Sequence, residues 1–373
     1  MEYSTVQFIG KINILLKKLI IAVNYKKLIA IISFSPILLV GCNNANTTFE
    51  NKTAKAVKPS HNNIVISSFS KNNKGSILSI NVKNNTKNYL IKNKDVAVTG
   101  DLSNDGSKIA YADALGDNDP WQIYLHNLTN DQTHRVTNDK FGKSHAKISD
   151  NNSVFFLTSS NEKQVKVGKI DLNTKSQNII DSANSDREVD AFDSKNNKLI
   201  MSTDSSSLRL QKWNENKGKN VPILHTILET DLNGSNSKQV AEVQASTVEN
   251  ISYDHDCKNI IICGSDINGN SGLGIYELTL STGNLTTILT NSALQNSKDS
   301  IVSELSHPPL AAASEDGNTI YFTGVLKNSK KSNIAGLSCY PTAVFSYNIN
   351  SKKLQEVFKP ETSSLIFDLN IKY

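Results

Sequence analysis

Arginine is scarce in this chain, cysteine is sparse, and net charge nearly vanishes once the first forty-one residues are set aside. Of 40 basic residues only Arg135, Arg187 and Arg209 are arginine, against 37 lysines and 46 asparagines. Lys, Asn and Ile share AT-rich codons, so the bias points to a low-GC bacterial genome and carries no chemistry. The formal net charge is +5. Lys11, Lys17, Lys18, Lys26 and Lys27 against Glu2 place +4 within residues 1–41, which leaves +1 for residues 42–373. A near-neutral body has no electrostatic case for holding polyphosphate, so no nucleic-acid partner is expected. No pair among Cys42, Cys257, Cys263 and Cys339 has zinc-ligand spacing. There is no Gly-x-Ser-x-Gly elbow and no phosphate-binding loop, which excludes an α/β-hydrolase module and a P-loop enzyme. No amphipathic helix of useful length is expected after residue 60.

What the chain does contain begins with an export signal. The length of 373 residues and a hydrophobic fraction of 38% exclude a disordered protein. Asn24-Tyr25-Lys26-Lys27 precedes an apolar run from Leu28 to Val40, shorter than the ~20 residues of a membrane span. The run ends Leu39-Val40-Gly41-Cys42, which resembles the bacterial lipobox. There the peptide is cut between Gly41 and Cys42, Gly41 keeps the cut site small, and the Cys42 thiol accepts the lipid. Residues 1–22 are read as lying upstream of the true translation start, which we place at Val23. Residues 1–41 are therefore signal peptide, and 42–60 are a lipidated cysteine and polar tether with a reach of ~20–25 Å. Two or three acyl chains at ~0.8 kcal/mol per buried CH₂ anchor such a protein stably. The expected location is the extracytoplasmic face of the cell membrane.

Residues 61–373 are built on a repeat. A polar turn leads into a short apolar strand at Ile64, Ile109, Val154, Leu199, Ile260 and Ile320, with spacings of 45, 45, 45, 61 and 60. Each such strand is followed by an alternating strand, a turn rich in Asn, Thr, Ser and Gly, and a further strand. Ile123 to Leu128 with Thr129-Asn130-Asp131 and Leu278-Thr279-Leu280 with Ser281-Thr282-Gly283 are examples. Period-two alternation bounded by such turns means half-buried antiparallel strands. Six copies of a four-stranded antiparallel unit predict an all-β fold, a six-bladed β-propeller. Ser364 to Leu369 has no blade of its own, so we expect it to pair with the first blade and close the ring.

The units resemble the TolB-like propeller repeats, also called WD40-like or PD40 repeats. Leu102-Ser103-Asn104-Asp105-Gly106-Ser107-Lys108-Ile109-Ala110-Tyr111 and Ala313-Ser314-Glu315-Asp316-Gly317-Asn318-Thr319-Ile320-Tyr321-Phe322 match that family's Ser-Pro-Asp-Gly turn and strand. Asp231-Leu232-Asn233-Gly234 fits its second segment. The likeness covers about residues 61–360 and lacks the family's Pro and the Trp before it. It implies the fold strongly and function weakly, because propellers host unrelated tasks.

Candidate chemistry is thin. Asp266, Asn268, Asn270 and Glu277 stand where a calcium loop places its oxygens, but Ser271 replaces the glycine and the flanks are strands, so turn chemistry is the preferred reading. Asp117-Asn118-Asp119 is an equivalent hairpin. Asp254-His255-Asp256-Cys257 looks catalytic but occupies a blade-turn position. Cys257 and Cys263 share one extended segment and cannot pair; Cys263 with Cys339 is the conceivable bridge, and buried free thiols are preferred. Residues 204–222 and 327–343, the latter with Cys339-Tyr340-Pro341, interrupt the rhythm as insertions and are read as drifting surface loops or partner sites. The expectation is a monomeric lipoprotein, not an enzyme and without a cofactor, whose propeller binds an envelope protein or peptide. The rivals are a solute- or glycan-binding sensory lipoprotein and a propeller lyase or glycosidase acting at the channel mouth.

Overall fold

The computed structural model describes residues 63–115, 119–149, 152–160 and 164–373. The signal peptide, Gly41, Cys42, the tether, Asp117 and Asn118 lie outside them. Six antiparallel sheets follow one another around an axis, five of four strands and a sixth whose inner strand is split into Val302–Leu305 and Ala311–Ala313. Each strand that opens at a repeat position is the second strand of its blade, and Ile64, Ile109, Val154, Leu199, Ile260 and Ile320 are all wholly buried. The spacing of 45 residues is thus one blade, and the two longer intervals are blades with insertions.

The terminal strand closes the ring as expected. Ser364–Lys372 pairs antiparallel with Asn63–Ser70, from Asn63 opposite Lys372 to Ser70 opposite Ser364. The last strand of the chain is therefore the innermost strand of blade 1, ahead of Gly75–Asn81 and Thr86–Lys94. Closure removes the edges at which neighbouring blades would otherwise come apart.

Alternation along the strands divides the core into one apolar cluster per blade interface. In Asn63–Ser70, Ile64 and Ile66 face blade 6 with Leu310 and Val344, while Val65 faces blade 2 with Leu102 and Tyr111. In Lys108–Asp113, Ile109 and Tyr111 turn back to blade 1, and Ala110 and Ala112 turn on to Phe156 of blade 3. The same division continues through blades 3 to 6. No blade buries both faces alone, so stability is a property of the ring. Outer strands such as Gln132–Arg135 are exposed throughout.

The Ser-x-Asp-Gly signature has a local cause. Asp105 Oδ1 accepts from Ser103 Oγ (2.5 Å) and the Ser107 amide (3.0 Å), and Ser103 Oγ accepts from the Lys108 amide (3.0 Å). Ser314, Asp316, Asn318 and Thr319 repeat that pattern in blade 6. The turn then needs a left-handed residue, supplied by Gly106 (φ 68°) and Gly317 (φ 70°). Blade 5 uses Cys257 there (φ 55°), and blade 4 turns through Asn196 and Asn197, both at positive φ. Asparagine tolerates this region better than other side chains, which accounts for part of its abundance.

The body does contain helices, though no long amphipathic one among the described residues. Ser206–Glu215 forms ten residues of α-helix inside the blade 4 insertion, capped by Ser205, whose hydroxyl accepts from the Leu208 amide. Its sequence has no apolar periodicity and no buried residue, so the pattern that signals a core-facing helix is missing. No helix among the described residues is long and apolar enough to cross a membrane.

Candidate functional site: the two mouths of the channel

The innermost strands bring side chains from distant parts of the chain to the axis. Lys147 of blade 3 is held by the Asn370 side chain of the closing strand and by Asp193 of blade 4 at 3.4 Å. Lys372 pairs with Asp101 of blade 2 at 2.7 Å. Asn370 Nδ2 donates to the Gly100 carbonyl (3.3 Å), and Asp193 Oδ2 accepts from the Tyr253 amide (2.9 Å). Burial opposes the charge on Lys147, but Asp193, Asp368 and Asp101 outweigh it and hold its pKa above the ordinary lysine value. Burial pushes the Asp368 carboxyl up to about 7 despite Lys147, and Oδ2 of that group has no hydrogen-bond partner among the described residues. Burial, with Lys147 beside it, lowers His145 to about 4.

Lys147 borders a cavity on each side, so this charged layer is a waist. At the end where first strands turn into second strands, a cavity of about 560 Å³ is lined by Asp193, Lys195, Tyr253, His255, Lys258 and Tyr373 among others. At the opposite end, a cavity of about 510 Å³ includes His145, Glu249, Leu273, His307, Phe367 and Asp368. Asn220 of the blade 4 insertion reaches this second cavity.

Both insertions occupy the same connection, between the second and third strands of a blade. In blade 4 the helix Ser206–Glu215 is latched by Arg209. Its guanidinium forks onto Asp204, with Nε to Oδ2 at 2.8 Å, and reaches Glu188 at 2.9 Å and Asp190 at 3.4 Å. His225, wholly buried, adds Nδ1 against Asp190 Oδ2 (2.6 Å) and Nε2 against the Ala245 carbonyl (3.1 Å). Asp190, Asp204 and His225 are close enough together to hold a metal ion, but Arg209 already supplies the cation there. In blade 6 the insertion forms a hairpin, Ser332–Ile334 with Leu337–Cys339, whose Ile334 and Ala335 pack on Phe69, Ala97, Leu365 and Phe367. It folds across the seam where the ring closes. Neither role was visible in sequence, since both insertions looked like polar loops.

In the loop weighed for calcium, side-chain oxygens are engaged within the turn and with blade 4. Asp266 Oδ1 accepts from the Gly272 amide (2.8 Å) and Asn268 Oδ1 from the Gln244 amide (3.0 Å), while Asn270 donates to the Ile267 carbonyl. Glu277 lies in the strand Leu273–Thr279, its pKa raised by burial and by Asp254 of a different turn. Asp254 likewise caps its own turn, accepting from the Lys258 and Asn259 amides. His255 and Asp256 of that turn nevertheless rim the first cavity. The three described cysteines are free, with no Cys263–Cys339 bridge.

No protein-family model and no curated protein matches the chain. Solved structures do. TolB from Acinetobacter baumannii is similar at a TM-score of 0.58 and 12% identity, covering 82% of this chain and 65% of that one. A chain of the nidogen/laminin complex gives 0.55 and 11%, covering 84% and 98%. A TolB-family structure from Agrobacterium tumefaciens, itself described as putative, gives 0.50 and 8%, covering 84% and 99%. This chain therefore spans 65% of the length of the Acinetobacter protein. At such identities the likeness shows the fold: a TolB-like six-bladed β-propeller.

Proposed function

We propose that this protein is a lipid-anchored, extracytoplasmic propeller that binds another protein of the cell envelope through the insertion-bearing end of its channel. The observation that carries this reading is the helix Ser206–Glu215. It buries none of its residues, yet Arg209 fixes it rigidly to blade 4, and it leaves Leu210 and Trp213 in solvent. A preorganised element that exposes a tryptophan suits a protein interface, where such side chains act as anchors. Tyr340 of the other insertion is also exposed. One similar fold was solved within a nidogen/laminin complex, in which two proteins are joined. The lipobox Leu39-Val40-Gly41-Cys42 supports the anchor.

Two experiments test it. A photo-crosslinking residue at Trp213 should give a discrete adduct with an envelope protein in living cells, and the same residue at Tyr89 on the outer strand of blade 1 should not. Equal adducts at both positions, or none, would refute the docking site. Radiolabelled palmitate should enter the wild-type chain and not Cys42→Ser; labelling of the variant would remove the anchor from the reading.

A second reading is favoured by one observation. Asp368 and His145, both with displaced pKa values, line the same cavity, which is how an acid–base enzyme would equip a channel mouth. Turnover of an envelope glycan that is lost in Asp368→Asn would support it over the scaffold.

A further inference from the structure

The chain enters its folded body at one end of the propeller, and charge at that end is unevenly placed. Asn63 opens the second strand of blade 1 and pairs with Asn81, just before Lys83 in the turn to the outer strand. The residues before Asn63 therefore join the ring at the end that carries the Ser-x-Asp-Gly turns, opposite the two insertions.

The turns between third and fourth strands at this end are built alike but charged differently. In blade 1, Asn81 Oδ1 accepts from the amides of Lys83 (3.0 Å) and Asn84 (3.2 Å), and in blade 6 Asn348 Oδ1 accepts from the Ser351 amide (2.8 Å). Blades 3 and 4 place an aspartate there instead. Asp171 Oδ1 accepts from the Asn173 and Thr174 amides, and Asp231 Oδ1 from those of Asn233 and Ser235. Either residue supplies the oxygen that the turn needs, so turn geometry does not decide the charge. The stretches Asn81 to Lys87 and Asn348 to Leu354 hold Lys83, Lys87, Lys352 and Lys353 and no carboxylate. In blades 3 and 4 the same turns set Lys175 and Lys238 against Asp171 and Asp231.

The two lysine turns are neighbours, because ring closure sets blade 1 beside blade 6. Lys87 Nζ lies 5.0 Å from the centroid of the Phe358 ring on the outer strand of blade 6. All four lysines are exposed, and none has a carboxylate within ion-pair distance among the described residues. Of the acids at this end of blade 6, Asp316 is bound into its own turn by Ser314 Oγ and the Asn318 amide, and neither it nor Glu315 or Glu356 pairs with these lysines.

We propose that this seam docks on an anionic lipid surface, with the ammonium groups of Lys83, Lys87, Lys352 and Lys353 over the headgroups. The propeller then stands on blades 6 and 1 with its insertions turned away from the membrane. The proposal rests on the lipid-anchor reading, since a tether with a reach of ~20–25 Å that enters beside Lys83 brings this end to the bilayer first. Unpaired lysines held there lie close enough to the surface for its negative potential to act on each of them.

The test uses the chain from residue 43 onward, which keeps the whole closed ring and carries no acyl group. It should co-sediment with vesicles of equal parts phosphatidylglycerol and phosphatidylcholine at low salt, release them at high salt, and ignore phosphatidylcholine alone. Lys83→Gln and Lys352→Gln should each weaken binding about fivefold, and exchange of all four lysines should abolish it. Lys71→Gln and Lys359→Gln, on the same two blades at the other end, should change it by less than about twofold. Equal binding to neutral vesicles, binding to neither kind, or undiminished binding by the fourfold variant would each overturn the proposal. Binding to soluble polyglutamate but to no vesicle would also overturn it, and would give the patch an acidic polymer as its partner. Because this chain is unacylated, the outcome is independent of palmitate labelling at Cys42. Failure of that labelling with vesicle binding intact would remove the anchor and still support the lipid surface as the partner.

Discussion

Lys147 and Asn370 stand 223 positions apart in the chain, and their side chains meet at the waist of the channel. The contact exists because the last strand is the innermost strand of the first blade, so blade 3 and the C-terminal segment face each other across the axis. That strand supplies Asp368, Asn370 and Lys372 to the polar layer.

Disturbing the closing strand should therefore cost more than its position at the end of the chain suggests. Ile366 is wholly buried between blades 6 and 1. Ile366→Ala should lower the unfolding free energy by about 2–5 kcal/mol, read as a shift in denaturant midpoint at constant slope. A loss below 1 kcal/mol, the scale of a surface change, would mean that the ring does not rely on this strand.

Arg209 bridges the Glu188, Asp190 and Asp204 carboxylates. Arg209→Met breaks ion pairs to two buried carboxylates, Asp190 and Asp204, and should destabilise the fold by about 3–5 kcal/mol. Arg209→Lys should recover only part of this, because an ammonium cannot fork onto Asp204. Full recovery by lysine in thermal unfolding would contradict the bidentate latch.

Stability should depend on pH through two groups of opposite sign. Asp368 is raised to about 7 from 3.8, so the folded chain holds a proton that the unfolded chain has released. Its contribution is present below the unfolded value and is lost as pH rises toward about 7. His145 is lowered to about 4 from 6.5, so its contribution is present above 6.5 and is lost as pH falls toward 4. The two oppose each other between 4 and 6.5. Asp368→Asn removes the first, so its urea midpoint should rise with pH across that window more steeply than the wild type's, and should exceed the wild type's above pH 7. A variant profile parallel to the wild type's would show that Asp368 does not titrate in this way.

Thiol reactivity should separate the cysteines. Cys263 is wholly buried in the interface of blades 5 and 6, and burial raises its pKa strongly. Burial raises Cys257 to about 11 and raises Cys339 as well, but both are half-exposed. Maleimide at neutral pH should label Cys257 and Cys339 slowly and Cys263 only after denaturation. A native disulfide in intact-mass measurements, or fast labelling of Cys263, would be incompatible with this packing.

How much of this was legible without the fold follows from the range of the interactions. The blade count, the second strands and the Ser-x-Asp-Gly turns are local: Ile64, Ile109, Val154, Leu199, Ile260 and Ile320 repeat because each blade must bury the same strand on both faces. The closing role of Ser364–Lys372 could be inferred because an alternating strand without a blade has one vacancy to fill. The innermost strands were not legible. Arg187–Lys195, with Glu188, Asp190 and Asp193, carries no apolar run, because one side of it lines a polar channel and gives Asp193 to a charge pair with Lys147 of blade 3. The helix Ser206–Glu215 escaped for a related reason, since it is held by one arginine rather than by an apolar stripe. The opening scarcity of net charge reads differently in that light. The sequence by itself determined that the chain beyond residue 41 is nearly neutral and contains six like units, because composition and local periodicity suffice for that. Only the tertiary structure decided which lysine meets which carboxylate, since those pairs join blades tens to hundreds of residues apart.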